Sequence, residues 1–387
     1  MILSRYLARR FLRMLLLITA VFVAILFLID VIEQIRRFGD EGLGLGRVAF
    51  LAALNIAGSV YGILPLITLL AAIALFVALS RTSELIAMRA AGRSGLRIVA
   101  APAVAAALAG VLAVMVLNPI VAATSKRYDA ASANAGAGVG QAVSVGRGAV
   151  WMRQGTRGAA DGARRDRSVG ADDARRVVAQ GGQIVIRAAR ASPDATALFD
   201  ATFLIFDADL GPVRRIEARS ARLGDGRWTL SGVKEWPLDA PNPERAARTG
   251  EQLTLPTELT AARIRDGFGA PQAVPVWQLP DFIAGLERAG FSGLRHRVWL
   301  MQELARPALM AAMVLLAAVF TMRPPRGRRT GVLVLGAFAA GVGLFFLRNL
   351  AQVMGEAGQV PAAAAAFAPP SAAALLALAA LLRLEDG

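Results

Sequence analysis

The chain has 387 residues, 56% of them hydrophobic, with a mean hydropathy of +0.51 and a formal charge of +15. It has no cysteine and one histidine, His296, which excludes disulfides, thiol catalysis and thiolate metal sites. Residues 125–297 hold 25 basic and 19 acidic side chains and the remainder 18 and 9. Most of the excess charge therefore flanks apolar runs, which points to anionic lipid rather than nucleic acid as the partner.

The chain opens with an arginine-studded segment, MILSRYLARRFLRM, and an apolar run at 14–32 that lacks a small-residue cleavage site and reads as a retained anchor. Further apolar runs follow at 49–79, 98–121, 301–322, 332–351 and 361–382. Each approaches or exceeds the roughly 20 residues needed to cross a hydrocarbon layer of about 30 Å. Arginine placement sets their orientation. Arg5, Arg9, Arg10 and Arg13 precede the first run; Arg81, Arg89, Arg93 and Arg97 follow the second; Arg323, Arg326, Arg328 and Arg329 follow the fourth. That bias predicts both termini in the cytoplasm and the long segment 125–297 outside. In the last run, Pro369 and Pro370 are expected to distort the helix.

Between the third and fourth runs the pattern changes. GAVWMRQ, QIVIRAAR, ALFDATFLIFD, VRRIEARSARL and RWTLSGVKEWPL are short, rich in β-branched and aromatic residues, and separated by turn formers such as LGDGR. Trp151, Phe203, Phe206, Trp228 and Trp236 in these strands read either as core or as the lining of a trough for acyl chains. Residues 155–182 are rich in glycine and charge and read as a flexible insertion. QLPDFIAGLERAGFSGLRHRVW reads as an amphipathic helix and a connector into the fourth run. The predicted fold class is an α-helical integral membrane protein with six transmembrane helices and a β jelly-roll-like domain inserted between helices 3 and 4. Its expected organisation is 1–124, 125–297 and 298–387.

Several chemistries lack their residues. No P-loop is present, because Lys126 in ATSKRY and Lys234 in SGVKEW both lie outside a GxxxxGK context. ATP, if it drives this chain, is hydrolysed by another. Asp30 and Glu303 lie near the ends of their runs, which disfavours ion-coupled transport. His296 sits in a basic connector, which disfavours a serine hydrolase. The reading is a non-enzyme with no cofactor, no metal and no nucleic acid.

One cytoplasmic segment, SRTSELIAMRAAGRSGLR, is charged and helix-competent. Thr82 or Ser83 can cap a helix near 82–92, Glu84 favours its positive end, and Gly92 can end it in the left-handed conformation. Such a helix either rests on lipid headgroups or docks on a soluble ATPase through Ser83, Glu84, Arg89, Gly92 and Arg93.

Taken with RYLARRFLR, FLIDVIEQIRRFG, LARPALMAAMVLLAAVF and GEAGQVPAAAAAFAP, the RTSELIAMRAAGRS block resembles the LptF/LptG (YjgP/YjgQ) lipopolysaccharide export permeases over almost the whole chain. The DVIEQIRR stretch tilts the resemblance towards LptG. It implies that 82–92 is a coupling helix, with Glu84 at the family's acidic position. It also implies an LptF-like second permease subunit, an LptB-like cytoplasmic ATPase dimer, an LptC-like periplasmic bridge component and lipopolysaccharide as the cargo, at the bacterial inner membrane.

A large anionic amphiphile needs an apolar surface rimmed with cations. Phe22, Leu26 and Ile29 recur at helical spacing, and Arg36 and Arg37 follow at headgroup height, where guanidinium pairs phosphate. The same two arginines could instead snorkel to the interface. Asp30 could pair with Arg36 or Arg37, or with Arg348 across the first and fifth spans, which the resemblance implies form a lateral gate, and family members can carry a basic residue at the Asp30 position. Arg348 reads as a phosphate ligand, an Asp30 partner or an anchor. The alternatives to an LptG-type subunit are an LptF-type subunit or a membrane-anchored scaffold or sensor with a periplasmic β-module.

Overall fold

The computed structural model describes residues 2–38, 44–133, 143–146, 149–155, 183–192, 196–207, 211–224, 226–257, 259–260, 264, 270–322 and 330–386. The expected insertion at 155–182 lies almost wholly outside them. The chain forms two compact units. The first comprises 1–136, 271–279 and 294–387, the second 137–270 and 280–293.

Six helices of the first unit are long and apolar enough to cross a membrane. Helix α1 spans Ile2–Phe38 and α2 spans Leu45–Arg81; α3 is the short helix Glu84–Ala90. The third crossing is one rod made of α4 (Gly95–Leu112), a π-turn (Ala113–Leu117) and α5 (Asn118–Ala133). After the inserted unit come α7 (Leu294–Thr321), α8 (Thr330–Glu356) and α9 (Ala362–Asp386). These helices outrun the hydropathy windows at most ends, because apolar composition marks only the crossing while hydrogen bonding continues past it. Helix α9 continues through Pro369 and Pro370. The carbonyls of Ala365 and Ala366 give up their i+4 donors there, which a helix tolerates when the rest of the ladder is intact.

The spans are unequally buried. In the second and fourth crossings 61% and 56% of the apolar window is buried, against 6% in the first and 22% in the fifth. Ile67, Leu69, Leu75 and Phe76 of α2 pack with Met310, Met313, Val314 and Ala317 of α7 in one core cluster, which Leu7, Phe11 and Leu15 of α1 join. Between membrane-spanning helices such contacts stabilise through close packing rather than through release from water. The other face of α1 carries exposed Leu16, Leu17, Leu28, Ile29 and Ile32.

The second unit is a seven-stranded antiparallel sheet in the order β1 to β7. Its strands are Val143–Gly146, Ala149–Gly155, Gln183–Ala191, Ala197–Asp207, Gly211–Gly224, Arg227–Pro237 and Arg248–Pro256. Each pairs antiparallel with its sequence neighbour. The five strands expected from sequence are β2 to β6; β7, whose RTGEQLT start is polar, carried no alternating apolar signal. Trp228 and Phe203 meet edge to face at 6.2 Å in the core. Helix α6 (Leu279–Arg288) adds Leu286 to that core, and Ala289 and Phe291 follow from the turn after it. Gly290 makes the turn possible: its φ is +90° and a Cβ there would strike the Ala191 backbone. Trp151 and Trp236 instead lie outward, Trp151 under Arg187 and Trp236 against Arg215 and Lys234.

Candidate functional site

Three polar clusters stand out in the first unit. The first surrounds α3. The helix is shorter than the sequence suggests, and its start is not capped as expected. Ser83 adopts a left-handed backbone, φ 58°, with no side-chain cap. The Thr82 hydroxyl lies 3.0 Å from the Ala78 carbonyl and 2.9 Å from Glu84 Oε1, two acceptors that compete for its one proton. The C-terminal end follows the expected chemistry. Gly92 has φ 77°, and the Arg93 and Gly92 N–H groups donate to Met88 and Arg89 carbonyls at 3.2 and 2.9 Å. Leu85 and Met88 are buried, while Ile86, Ala87, Arg89 and Ala90 are exposed. Arg89 Nη2 lies 3.5 Å from the Met322 carbonyl, just past α7.

Glu84 is the centre of this cluster. Arg10 Nη1 on α1 donates to Glu84 Oε2 at 2.7 Å and Oε1 at 2.8 Å, and Tyr6 donates to Oε2 at 3.0 Å. Hydrogen bonding from Arg10 holds the Glu84 carboxyl below the usual carboxylate range, against partial desolvation, which acts the other way.

The second cluster lies at the C-terminal end of α1, where α2 and α5 approach it. Arg36 is exposed and pairs with Glu33 at 2.8 Å. Arg37 Nη1 reaches the Tyr128 hydroxyl at 3.4 Å, and buried Gln34 meets the same hydroxyl at 2.9 Å. Asp30 accepts a hydrogen bond from Asn55 of α2 at 3.1 Å, rather than pairing with Arg36, Arg37 or Arg348, and its Oδ2 has no partner among the described residues. Phe22 is partly buried against the core cluster, Leu26 is half-buried, and Ile29 is exposed.

The third cluster lies inside the bundle, and sequence reasoning largely missed it. Glu303 and Arg306 of α7, 0% and 3% exposed, form an ion pair at 2.6 Å. The Tyr61 hydroxyl of α2 donates to Glu303, Arg306 Nη1 donates to the Tyr61 carbonyl at 3.0 Å, and the guanidinium lies 3.9 Å over the Tyr61 ring. Arg348 of α8 is buried and donates to Gln302 Oε1, on the residue before Glu303, at 2.8 Å. The signal was available: Arg306 follows Glu303 by three residues within an apolar run, a spacing that puts both on one helix face.

Six crossings enclosing a compensated buried charge, with a β-module inserted after the third, define an integral membrane permease. Residues 5–383 match the family described as lipopolysaccharide export system permease LptF/LptG, and the chain belongs to that family. It is thus a transmembrane permease subunit of lipopolysaccharide export, without catalytic activity of its own, and works within an Lpt export complex. No curated protein gives a significant match to the chain.

Proposed function

We propose that the chain is the LptG-type permease of an exporter that draws lipopolysaccharide from the outer leaflet of the inner membrane. An LptF-like chain is its second permease subunit, an LptB-like ATPase dimer drives it from the cytoplasm, and an LptC-like component receives the cargo in the periplasm. The DVIEQIRR stretch supports LptG over LptF, and the arginine distribution supports a cytoplasmic α3 with both termini on the same side. On this reading 1–124 and 298–387 form the membrane part and 125–297 the periplasmic part.

The observation that carries the substrate assignment is α1, an apolar span buried over only 6% of its window and ending in Arg36 and Arg37. Acyl chains lie along Leu26 and Ile29, with the exposed edge of Phe22 below, while the two guanidinium groups take the phosphates. Asp30, held by Asn55, keeps its second carboxylate oxygen for a gate partner. Arg348 reaches a phosphate by giving up Gln302. On the cytoplasmic face, Ile86 and Arg89 of α3, with Ser83, Gly92 and Arg93 at its ends, fit a groove on the ATPase.

The test is a photo-crosslinking residue at Ile29 in the co-expressed complex, with affinity purification identifying the associated chains. Lipopolysaccharide attached at Ile29, reduced several-fold by Arg36→Glu with Arg37→Glu, is the expected result. Recovery of no ATPase chain and no crosslinked lipid would favour the scaffold or sensor reading instead.

A further inference from the structure

The chain does not run straight from the β-unit into α7. Residues 271–279 belong to the helical unit, 280–293 belong again to the β-unit, and α7 follows. The short visit is made of two 3-10 turns, Pro271–Ala273 and Val276–Gln278. Pro271 opens the first and Pro275 precedes the second, and the fixed φ of proline suits a tight turn. The Val274 and Gln278 N–H groups close back on the Pro271 and Pro275 carbonyls at 3.2 and 2.9 Å. Pro271, Ala273, Val274 and Val276 are buried, and the first turn packs against α5 and α7. Trp277 beside them is 61% exposed, a residue type favoured where membrane meets water.

One backbone donor of the segment leaves it. The Val276 N–H donates to Asn118 Oδ1 at 2.8 Å, and both residues are buried. Asn118 stands directly after the π-turn of the third crossing, where its own N–H donates to the Ala113 carbonyl. Its side chain also interacts with the Tyr61 hydroxyl, which donates to Glu303. The segment is thereby joined to the polar cluster shared by α2 and α7. In the other chain direction α6 begins at Leu279, and its Leu286, with Ala289 and Phe291 after it, lies in the β core. The Ala191 N–H of β3 donates to the Ala289 carbonyl at 2.9 Å, which fixes the far end of α6. A buried N–H that loses its acceptor has no water to turn to, so the bond to Asn118 selects one seat for 271–279.

We propose that Asn118 is a positioning residue for lipid transfer: by accepting the Val276 N–H it pins 271–279 to the third crossing and fixes the point from which α6 departs into the β-unit. This rests on the reading of the chain as a lipid-export permease whose inserted unit is periplasmic. The defect it predicts comes after extraction. Lipid still reaches α1, but it is passed on poorly when the base of α6 wanders.

The experiment compares the full complex in proteoliposomes as parent, Asn118→Leu and Val276→Pro. Leucine removes the acceptor at similar volume. Proline removes the donor, and the backbone suits it, because Pro275 has ψ 141°, the extended value that a following proline requires. Spin labels at Ile120→Cys and Gln278→Cys, both exposed and free of competing native thiols, should give a narrow distance distribution in the parent and a broad one in either variant. ATP hydrolysis and lipid crosslinking at Ile29 should be retained. Lipopolysaccharide released per ATP should fall about tenfold or more, the scale set by an orphaned buried donor.

Normal release per ATP in both variants would overturn the inference, and so would distance distributions as narrow as the parent's. Hydrolysis and crosslinking that fall in step with release would also overturn it, since that pattern marks a merely structural role. Should neither variant assemble, hydrogen exchange in the parent decides: slow exchange over 272–279 supports the pin, and exchange as fast as in an exposed loop refutes it. A parent complex with no ATPase and no lipid at Ile29 would instead sink the reading on which the inference rests.

Discussion

Removing the Arg306 guanidinium should destabilise the helical unit far more than removing the whole ion pair. At 2.6 Å and an effective dielectric constant of about 20, the gross attraction between Glu303 and Arg306 is about 6 kcal/mol. Desolvation offsets much of it, at several kcal/mol per ion. Arg306→Met therefore loses the attraction but leaves Glu303, fully buried, still charged or forced to protonate, for a net cost of about 3–5 kcal/mol. The lost hydrogen bond to the Tyr61 carbonyl adds about 1 kcal/mol. In Arg306→Met with Glu303→Leu, both desolvation costs vanish, and the remaining penalty is the orphaned Tyr61 hydroxyl, about 1–3 kcal/mol. Adding Tyr61→Phe should bring the triple variant close to the parent. Denaturant and thermal unfolding in lipid nanodiscs, followed by tryptophan fluorescence, gives the ranking; Trp299 on the same helix is a local reporter. A melting point for Arg306→Met within 2 °C of the parent, or a double variant less stable than the single, would refute the reasoning. A stable triple variant that no longer exports lipid would show the pair is retained for function and not for stability.

Other outcomes follow from the same structure. Gly110→Ala places a Cβ 2.8 Å from the Pro307 Cα, backbone that cannot rotate away, and should cost about 1–3 kcal/mol in the same unfolding assay; Gly62→Ala, with open space around it, should be neutral or slightly stabilising. For Glu84 the sign is fixed by its depressed pKa. The tie to Arg10 is fully present above the ordinary carboxylate value of 4.5 and is lost as pH falls through the lower folded value, so release per ATP should show no dependence on this group at neutral pH. A pH titration of release in the Arg10→Glu background, compared with the parent, checks it. Trp236→Ala, which removes the ring under Arg215 and Lys234, should cost under about 1 kcal/mol in the β-unit, whereas Trp228→Ala, fully buried, should cost about 3–5 kcal/mol.

The large features of this fold are written in one-dimensional pattern. Uncharged apolar runs name the crossings, and strand patterns rich in β-branched and aromatic residues name β2 to β6, because both signals arise from which faces must leave water. What escaped were features decided by neighbours distant in sequence. Nothing near Glu84 says that its partner is Arg10, 74 residues earlier, and a helix-start capping pattern at Thr82 and Ser83 competes with the hydroxyl's bond back into α2. The π-turn at Ala113–Leu117 has no composition of its own. Arg306 was legible as a charge in an apolar run but not as a buried one, since its solvent is a tyrosine from α2.

The distribution of burial and polar ties suggests how one chain can be both anchor and moving part. Helices α2 and α7 are clamped by apolar packing and by Tyr61, Glu303 and Arg306, so sliding them apart would expose a charge pair to hydrocarbon. Among the described residues, the polar ties of helix α1 to its neighbours lie towards its two ends, Arg10 with Glu84 at one and Asp30 with Asn55 and Gln34 with Tyr128 at the other. A span fastened at its ends and largely exposed between can tilt about those contacts without breaking the core. That mechanical asymmetry is what a lateral opening for a lipid requires, and it places the sensitive residues at the ends of α1 rather than along its greasy middle.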